Sequence, residues 1–188
     1  DAMVRAPTQE RTKLYRYFED GASGLLMPLV DDVDEARAIA RSVKFPPIGN
    51  RGIDGAGLDA DYAIDVDNFT DNANAETFVI LQIETLNALE QAEEIAGVEG
   101  VDGIFVGPAD LSLRLGLTPG APTLSEAMQQ VADAAARQGK AWGTAGGGVE
   151  EWKQYRQMGA QLLIGAGDFA LRDVLEEAKE NMNAALGD

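Results

Sequence analysis

The sequence predicts an α/β fold of the TIM (β/α)8 barrel type, incomplete in this chain, and three observations carry that expectation. Short apolar runs alternate with longer stretches of helical spacing. The runs are short enough to be buried parallel strands, and polar or special residues sit just after several of them. A repeated β-then-α order leaves a doubly wound sheet or a closed barrel as the main choices. Special residues after several different runs favour the barrel, because its mouth collects every strand end, whereas an open sheet binds its ligand at one switch point.

The candidate elements follow in order. Ala2 to Ala6 is an apolar run with Arg5 near its end, and the amphipathic stretch Glu10 to Glu19 comes next. Gly24 to Val30 contains Pro28 and precedes Val33 to Ser42. The segment Phe45 to Asp67 breaks the rhythm with Pro46, Pro47, Gly49, Gly52, Gly55 and Gly57. It reads as a long structured loop, either functional or a surface excursion. Phe78 to Glu84 is followed by Leu86 to Ile95, and Gly103 to Val106 by the Gly107-Pro108-Ala109-Asp110 turn and then Ser125 to Gln138. Ala141 to Thr144 leads through Gly146 to Gly148 into Glu150 to Met158, and Leu162 to Ile164 into Leu171 to Leu186.

These are six βα units in 188 residues. A complete barrel takes roughly 250 residues, or about 30 per unit, so the expectation is one partial barrel domain over residues 1–188 with about the first two units missing.

Composition narrows the function. Fifteen basic against 32 acidic residues give a formal charge of -17, which repels nucleic acid and anionic membranes, so neither is an expected partner. No apolar run approaches the roughly 18 residues of a membrane span, and the start of the chain lacks the basic-then-apolar order of a signal peptide. With no cysteine there is no disulfide framework and no thiolate metal site, which fits a reducing, cytoplasmic setting. The chain also has no histidine, so the commonest general base and the commonest neutral metal ligand are both missing from it.

Chemistry must then rest on other groups. Glu84 closes a very apolar run, where a carboxylate is costly without a cation or hydrogen-bond partners. Asp110 comes one βα unit later, so the two project from adjacent strands onto one rim. Two carboxylates plus waters and a chelating substrate suit a hard divalent cation. The alternatives are a helix N-cap for Asp110 and a helix start or salt bridge for Glu84. Arg5 precedes Pro7 and is placed to grip a carboxylate or keto oxygen, unless an acidic neighbour takes it. Gln82 shares a strand face with Glu84, as a site amide or a satisfied core amide. The glycines at 146–148 lack the spacing and lysine of a phosphate loop. Trp142, Trp152 and Phe105 read as packing residues, and Arg51 as a loop arginine that either reaches a substrate or, as is more common, is solvated.

Five strings taken together go further: Val4-Arg5-Ala6-Pro7, Gly24 to Pro28, Phe45 to Gly52, Leu81 to Thr85, and Val101 to Ser112. In order and spacing they resemble the HpcH/HpaI family of 4-hydroxy-2-oxoacid and 2-dehydro-3-deoxyglucarate aldolases. The resemblance implies a barrel of the phosphoenolpyruvate/pyruvate type that cleaves a 4-hydroxy-2-oxo acid to pyruvate and an aldehyde through an enolate. It implies Glu84 and Asp110 as ligands of Mg²⁺ or Mn²⁺, with Co²⁺ a further candidate, and Arg5 as the catalytic arginine beside the pyruvyl oxygen. Gln82 matches the nearby amide, and Gly107 and Ala109 the turn that holds the pyruvate carboxylate.

The resemblance further implies a homo-oligomer, commonly a hexamer, with an exchanged C-terminal helix. The apolar face of Leu171, Val174, Leu175 and Ala178 fits that exchange, and packing on the same barrel equally well. One departure stands out: family members carry an acid–base histidine before the segment that matches Arg5, and this chain has none. Two rival readings follow. One is a citrate lyase-like or malyl-CoA lyase-like enzyme, which needs a basic CoA site that this acidic chain does not display. The other is a non-catalytic pyruvate- and metal-binding homologue.

Overall fold

The computed structural model describes residues 1–63, 68–165 and 167–187. Six strands, β1 (Met3–Arg5), β2 (Gly24–Met27), β3 (Phe78–Ile83), β4 (Gly103–Val106), β5 (Ala141–Ala145) and β6 (Leu162–Ile164), form one all-parallel sheet in sequential order. A doubly wound sheet reverses its strand order at the switch point, so this order excludes that alternative. In a flat sheet β1 and β6 would stand about 24 Å apart at the usual strand spacing. Yet residues of all six strands line a single cavity of about 410 Å³, so the sheet curls into a half-barrel.

Period-two alternation gives the curled sheet two different faces. Outward-facing Leu25, Met27, Val79, Leu81, Ile83, Ile104 and Val106 join the helices in the main core. Inward-facing Leu26, Ile80 and Phe105 form a small second cluster, with Met3, Phe78, Ala145 and Leu162 against it. The register runs Arg5, Leu26, Ile80, Gly103, Ala141 across five strands, so Gln82 and Glu84 stand closer to the mouth than that row.

Nine helices are described: α1 (Arg11–Glu19), α2 (Val33–Val43), α3 (Phe69–Glu76), α4 (Leu86–Glu90), α5 (Ala92–Ala96), α6 (Pro108–Leu117), α7 (Leu124–Gln138), α8 (Val149–Gln157) and α9 (Asp168–Leu186). Local chemistry sets several ends. The Asp32 carboxylate accepts the Asp34 and Glu35 N–H groups to cap α2, and Thr123 with Glu126 makes a capping box on α7.

Several sequence expectations need correction. The stretch Leu86 to Ile95 is two helices, broken at Gln91, which lies outside helical geometry at φ -102° and ψ 16°. Helix α3 went unread, and α6 was read only as an alternative, with Asp110 as its N-cap. The first buries only Phe69 and has no apolar period, while the second begins at what reads as a turn. The loop from Phe45 holds a 3-10 helix at Leu58–Ala63, and the Ile64 to Asp67 part of that reading lies outside the described residues.

Arg51 is not solvated. It is 4% exposed, ion-paired with Asp59, and stacked 4.5 Å from the Phe45 ring centroid. On α9, Leu171, Val174 and Leu175 are 66%, 63% and 67% exposed, so the described residues of this chain leave that face uncovered. Among the described residues no helix is long and apolar enough to cross a membrane.

Candidate active site

The cavity at the carboxyl ends of the strands is lined by Arg5, Gln82, Glu84, Gly107, Ala109 and Asp110, together with Met3, Leu26, Phe105, Pro108, Ala145 and Ile164. All six residues singled out from the sequence therefore meet in one place. Phe105, read as packing alone, also faces this space.

Glu84 follows the last residue of β3 and is 4% exposed. Its Oε1 accepts the Leu29 N–H at 2.6 Å, and its Oε2 accepts Gln82 Nε2 at 3.1 Å. Burial pushes the Glu84 carboxyl above its usual range. The Leu29 hydrogen bond opposes this, Asp110 adds to it, and Arg114 and Arg5 pull it back. Gln82 is also 4% exposed, and with its amide nitrogen spent on Glu84, its Oε1 is buried without a partner.

Asp110 is neither a turn residue nor an N-cap. Gly107 takes the cap position, Pro108 opens α6, and Asp110 lies in the first turn. Its carboxylate is ion-paired with Arg114 Nη1 at 3.0 Å, and that guanidinium also donates to the Asp110 carbonyl at 3.1 Å. The helix geometry leaves the N–H groups of Ala109 and Asp110 without intrahelical acceptors beside the cavity, and the positive end of α6 points the same way. A β-carbon on Gly107 would meet Glu84 Oε2 at 2.2 Å and Gln82 Nε2 at 3.1 Å. Arg5 ends β1 on the inward face. At the β5 end, the Gly147 N–H is already spent on Glu151 Oε2 at 2.9 Å.

This donor set fits a hard divalent cation. It offers oxygen ligands only: one carboxylate raised by desolvation, a second beside it, and an unpartnered amide oxygen. Among the described residues no group of three or more His, Cys, Asp and Glu side chains is arranged to hold a metal ion, so waters and substrate would complete the coordination. Sequence reasoning missed two contributors. Arg114 was legible as the i+4 partner of Asp110. Leu29 was not, because its part is played by the backbone.

Comparisons agree with the fold. The HpcH/HpaI aldolase/citrate lyase family model matches residues 1–171. The chain is 39% identical over 135 residues to a hydroxypyruvate/pyruvate aldolase of Sagittula stellata, a match covering 72% of this chain. It is 33% identical over 187 residues to a 4-hydroxy-2-oxo-heptane-1,7-dioate aldolase of Escherichia coli, covering 98% of this chain. It spans about half the length of the first relative, 53%, and 70% of the second. The crystal structure of an HpcH/HpaI aldolase from Desulfitobacterium hafniense superposes with a TM-score of 0.87 at 30% identity, over 96% of this chain and 71% of that one. The chain thus belongs to the HpcH/HpaI aldolase/citrate lyase family.

Proposed function

We propose that this chain carries the cation site and pyruvate pocket of a carbon–carbon lyase, within a single barrel domain, that cleaves 4-hydroxy-2-oxo acids to pyruvate and an aldehyde. The observation that supports it best is the convergence of Glu84, Asp110, Gln82, Arg5 and the α6 N-terminus on one cavity, in a member of an aldolase family.

Glu84 and Asp110 would hold a divalent cation such as Mg²⁺ or Mn²⁺. Once bound, that ion supplies Lewis-acid stabilisation of the charge that develops on the 2-oxo oxygen. The chain's own groups do the rest. Free N–H groups of Ala109 and Asp110 receive the substrate carboxylate, with Gly107 leaving room for Glu84 beside them. Arg5 places a permanent positive charge beside the oxo oxygen, which favours the transition state over the ground state as negative charge builds. Gln82 steadies Glu84 and offers its free oxygen to a bound water or substrate hydroxyl. Leu26, Phe105 and Ile164 keep the pocket apolar, which strengthens each of these interactions. The 4-hydroxyl proton must leave to a base. This chain contains no histidine, and none of its residues is assigned that role.

The test is pyruvate release from a panel of 4-hydroxy-2-oxo acids by the intact protein, with Mn²⁺ and after chelation. Glu84→Gln and Asp110→Asn are each expected to lower kcat/KM by roughly a hundredfold. Unchanged activity in both variants would overturn the assignment.

A further inference from the structure

Glu84 is held from a neighbouring loop as well as by its own strand. The Leu29 N–H reaches its Oε1 at 2.6 Å, and Leu29 has φ +53°, a left-handed conformation that L side chains rarely adopt. The Leu29 side chain is 51% exposed, so burial of that side chain does not explain the strain. Strain of this kind persists only where the surroundings over-determine it.

Those surroundings lie two residues further on. The Thr85 hydroxyl, next in sequence to Glu84, donates to Asp31 Oδ1 at 2.6 Å. Asn87 Nδ2 donates to the Asp31 carbonyl at 3.0 Å and to its Oδ2 at 3.3 Å. The Val33 N–H closes the set on Gln91 Oε1 at 3.3 Å. Thr85 also caps α4 by accepting the Ala88 N–H at 3.0 Å. A hydroxyl has one donor and two acceptor sites, so it performs both tasks at once. The loop after β2 is therefore tied to the loop after β3 immediately beyond the Leu29–Glu84 hydrogen bond.

We propose that Asp31 and Thr85 form a strap that positions Glu84 for its cation, by holding Leu29 left-handed so that its N–H sets the plane of the carboxylate. The inference rests on the reading of Glu84 as a cation ligand. Without the strap, Leu29 relaxes to negative φ, its N–H turns away, and the carboxylate loses its fixed direction in the cavity. Asp31 and Thr85 touch neither cation nor substrate, so they are positioning residues.

The experiment is Mn²⁺ binding to the intact protein followed by electron paramagnetic resonance, with a thermal melt of every variant. Asp31→Ala and Thr85→Val each weaken Mn²⁺ binding about tenfold, the scale of losses seen when outer-shell partners are removed. Asp31→Asn and Thr85→Ser keep the hydrogen bond and stay near the parent. The double variant Asp31→Ala/Thr85→Val binds no more weakly than the worse single one, because both remove the same bond. Thr85→Val breaks the strap from the other side, so the inference is still tested if Asp31→Ala does not fold. A lowered melting temperature with unchanged Mn²⁺ affinity overturns the strap, and so does an Asp31→Asn variant as weak as Asp31→Ala, which would point to charge alone. A parent protein that binds no Mn²⁺ overturns the cation reading and this one with it.

Discussion

A β-carbon on Gly107 would lie 2.2 Å from Glu84 Oε2, so the carboxylate occupies space that only glycine leaves open. Gly107 has φ -85° and ψ 92°, which any residue tolerates, so the requirement is steric and not conformational. Gly107→Ala should push Glu84 off its Leu29 hydrogen bond. The expected cost is about 1–3 kcal/mol of stability, read by urea denaturation, and weaker Mn²⁺ binding. An alanine variant with parental Mn²⁺ affinity would show that Glu84 has slack.

Arg114 shields Asp110. Because the pair is an i,i+4 contact on a partly exposed helix face, its worth is only a few tenths of a kcal/mol. Arg114→Leu should therefore tighten cation binding modestly, by roughly twofold from the lost pair and further at low salt from the lost positive charge. Calorimetric titration with Mn²⁺ at two ionic strengths measures both parts. Weaker binding would mean that Arg114 buttresses the ligand instead of competing for it.

Arg51 and Asp59 form a buried pair under the long loop, with side chains 2% and 10% exposed. Arg51 Nε and Asp59 Oδ1 have no further partner. Arg51→Met leaves a buried carboxylate uncompensated and is expected to cost about 3–5 kcal/mol, while adding Asp59→Asn should recover part of that loss. Chemical denaturation of the two variants checks the order.

Lys44 is 1% exposed and donates to the carbonyls of Thr77 and Asn74 at 2.5 and 3.0 Å, with Asp102 3.8 Å away. Burial lowers its pKa below the ordinary 10.5; Asp102 opposes the shift and Lys140 adds to it. The unfolded chain therefore binds this proton more tightly than the folded one. The resulting penalty is fully present below the lowered folded value and fades as pH rises from there through 10.5. As pH rises toward 10.5 the parent should gain stability relative to Lys44→Met. It is the slope of the difference, measured by denaturation across that range, that tests the prediction. A flat difference would show that Lys44 titrates normally.

Much of this architecture was written locally. Alternating runs marked all six strands within a residue or two at most ends, since a buried strand needs a short apolar run and an amphipathic helix needs its period. Glu84 was conspicuous because a carboxylate closing Phe78 to Ile83 has to be compensated by something. Helix α6 was read only as an alternative, and its start misplaced at Asp110, because Gly107 and Pro108 carry the same signal in a turn and in a helix start. Arg51 escaped because nothing in a glycine-rich segment announces that it will fold over Phe45.

The sequence by itself determined the order of the elements, which side chains alternate inward, and the residues that compose the rim. Tertiary structure alone decided that the sheet curls far enough for Arg5 and Ile164 to share a cavity, and that Leu29 turns left-handed onto a carboxylate 55 positions away. The physical reason is range. Periodicity and capping are settled by neighbours in the chain, whereas the direction of a buried carboxylate depends on backbone groups that only strand pairing and register bring beside it.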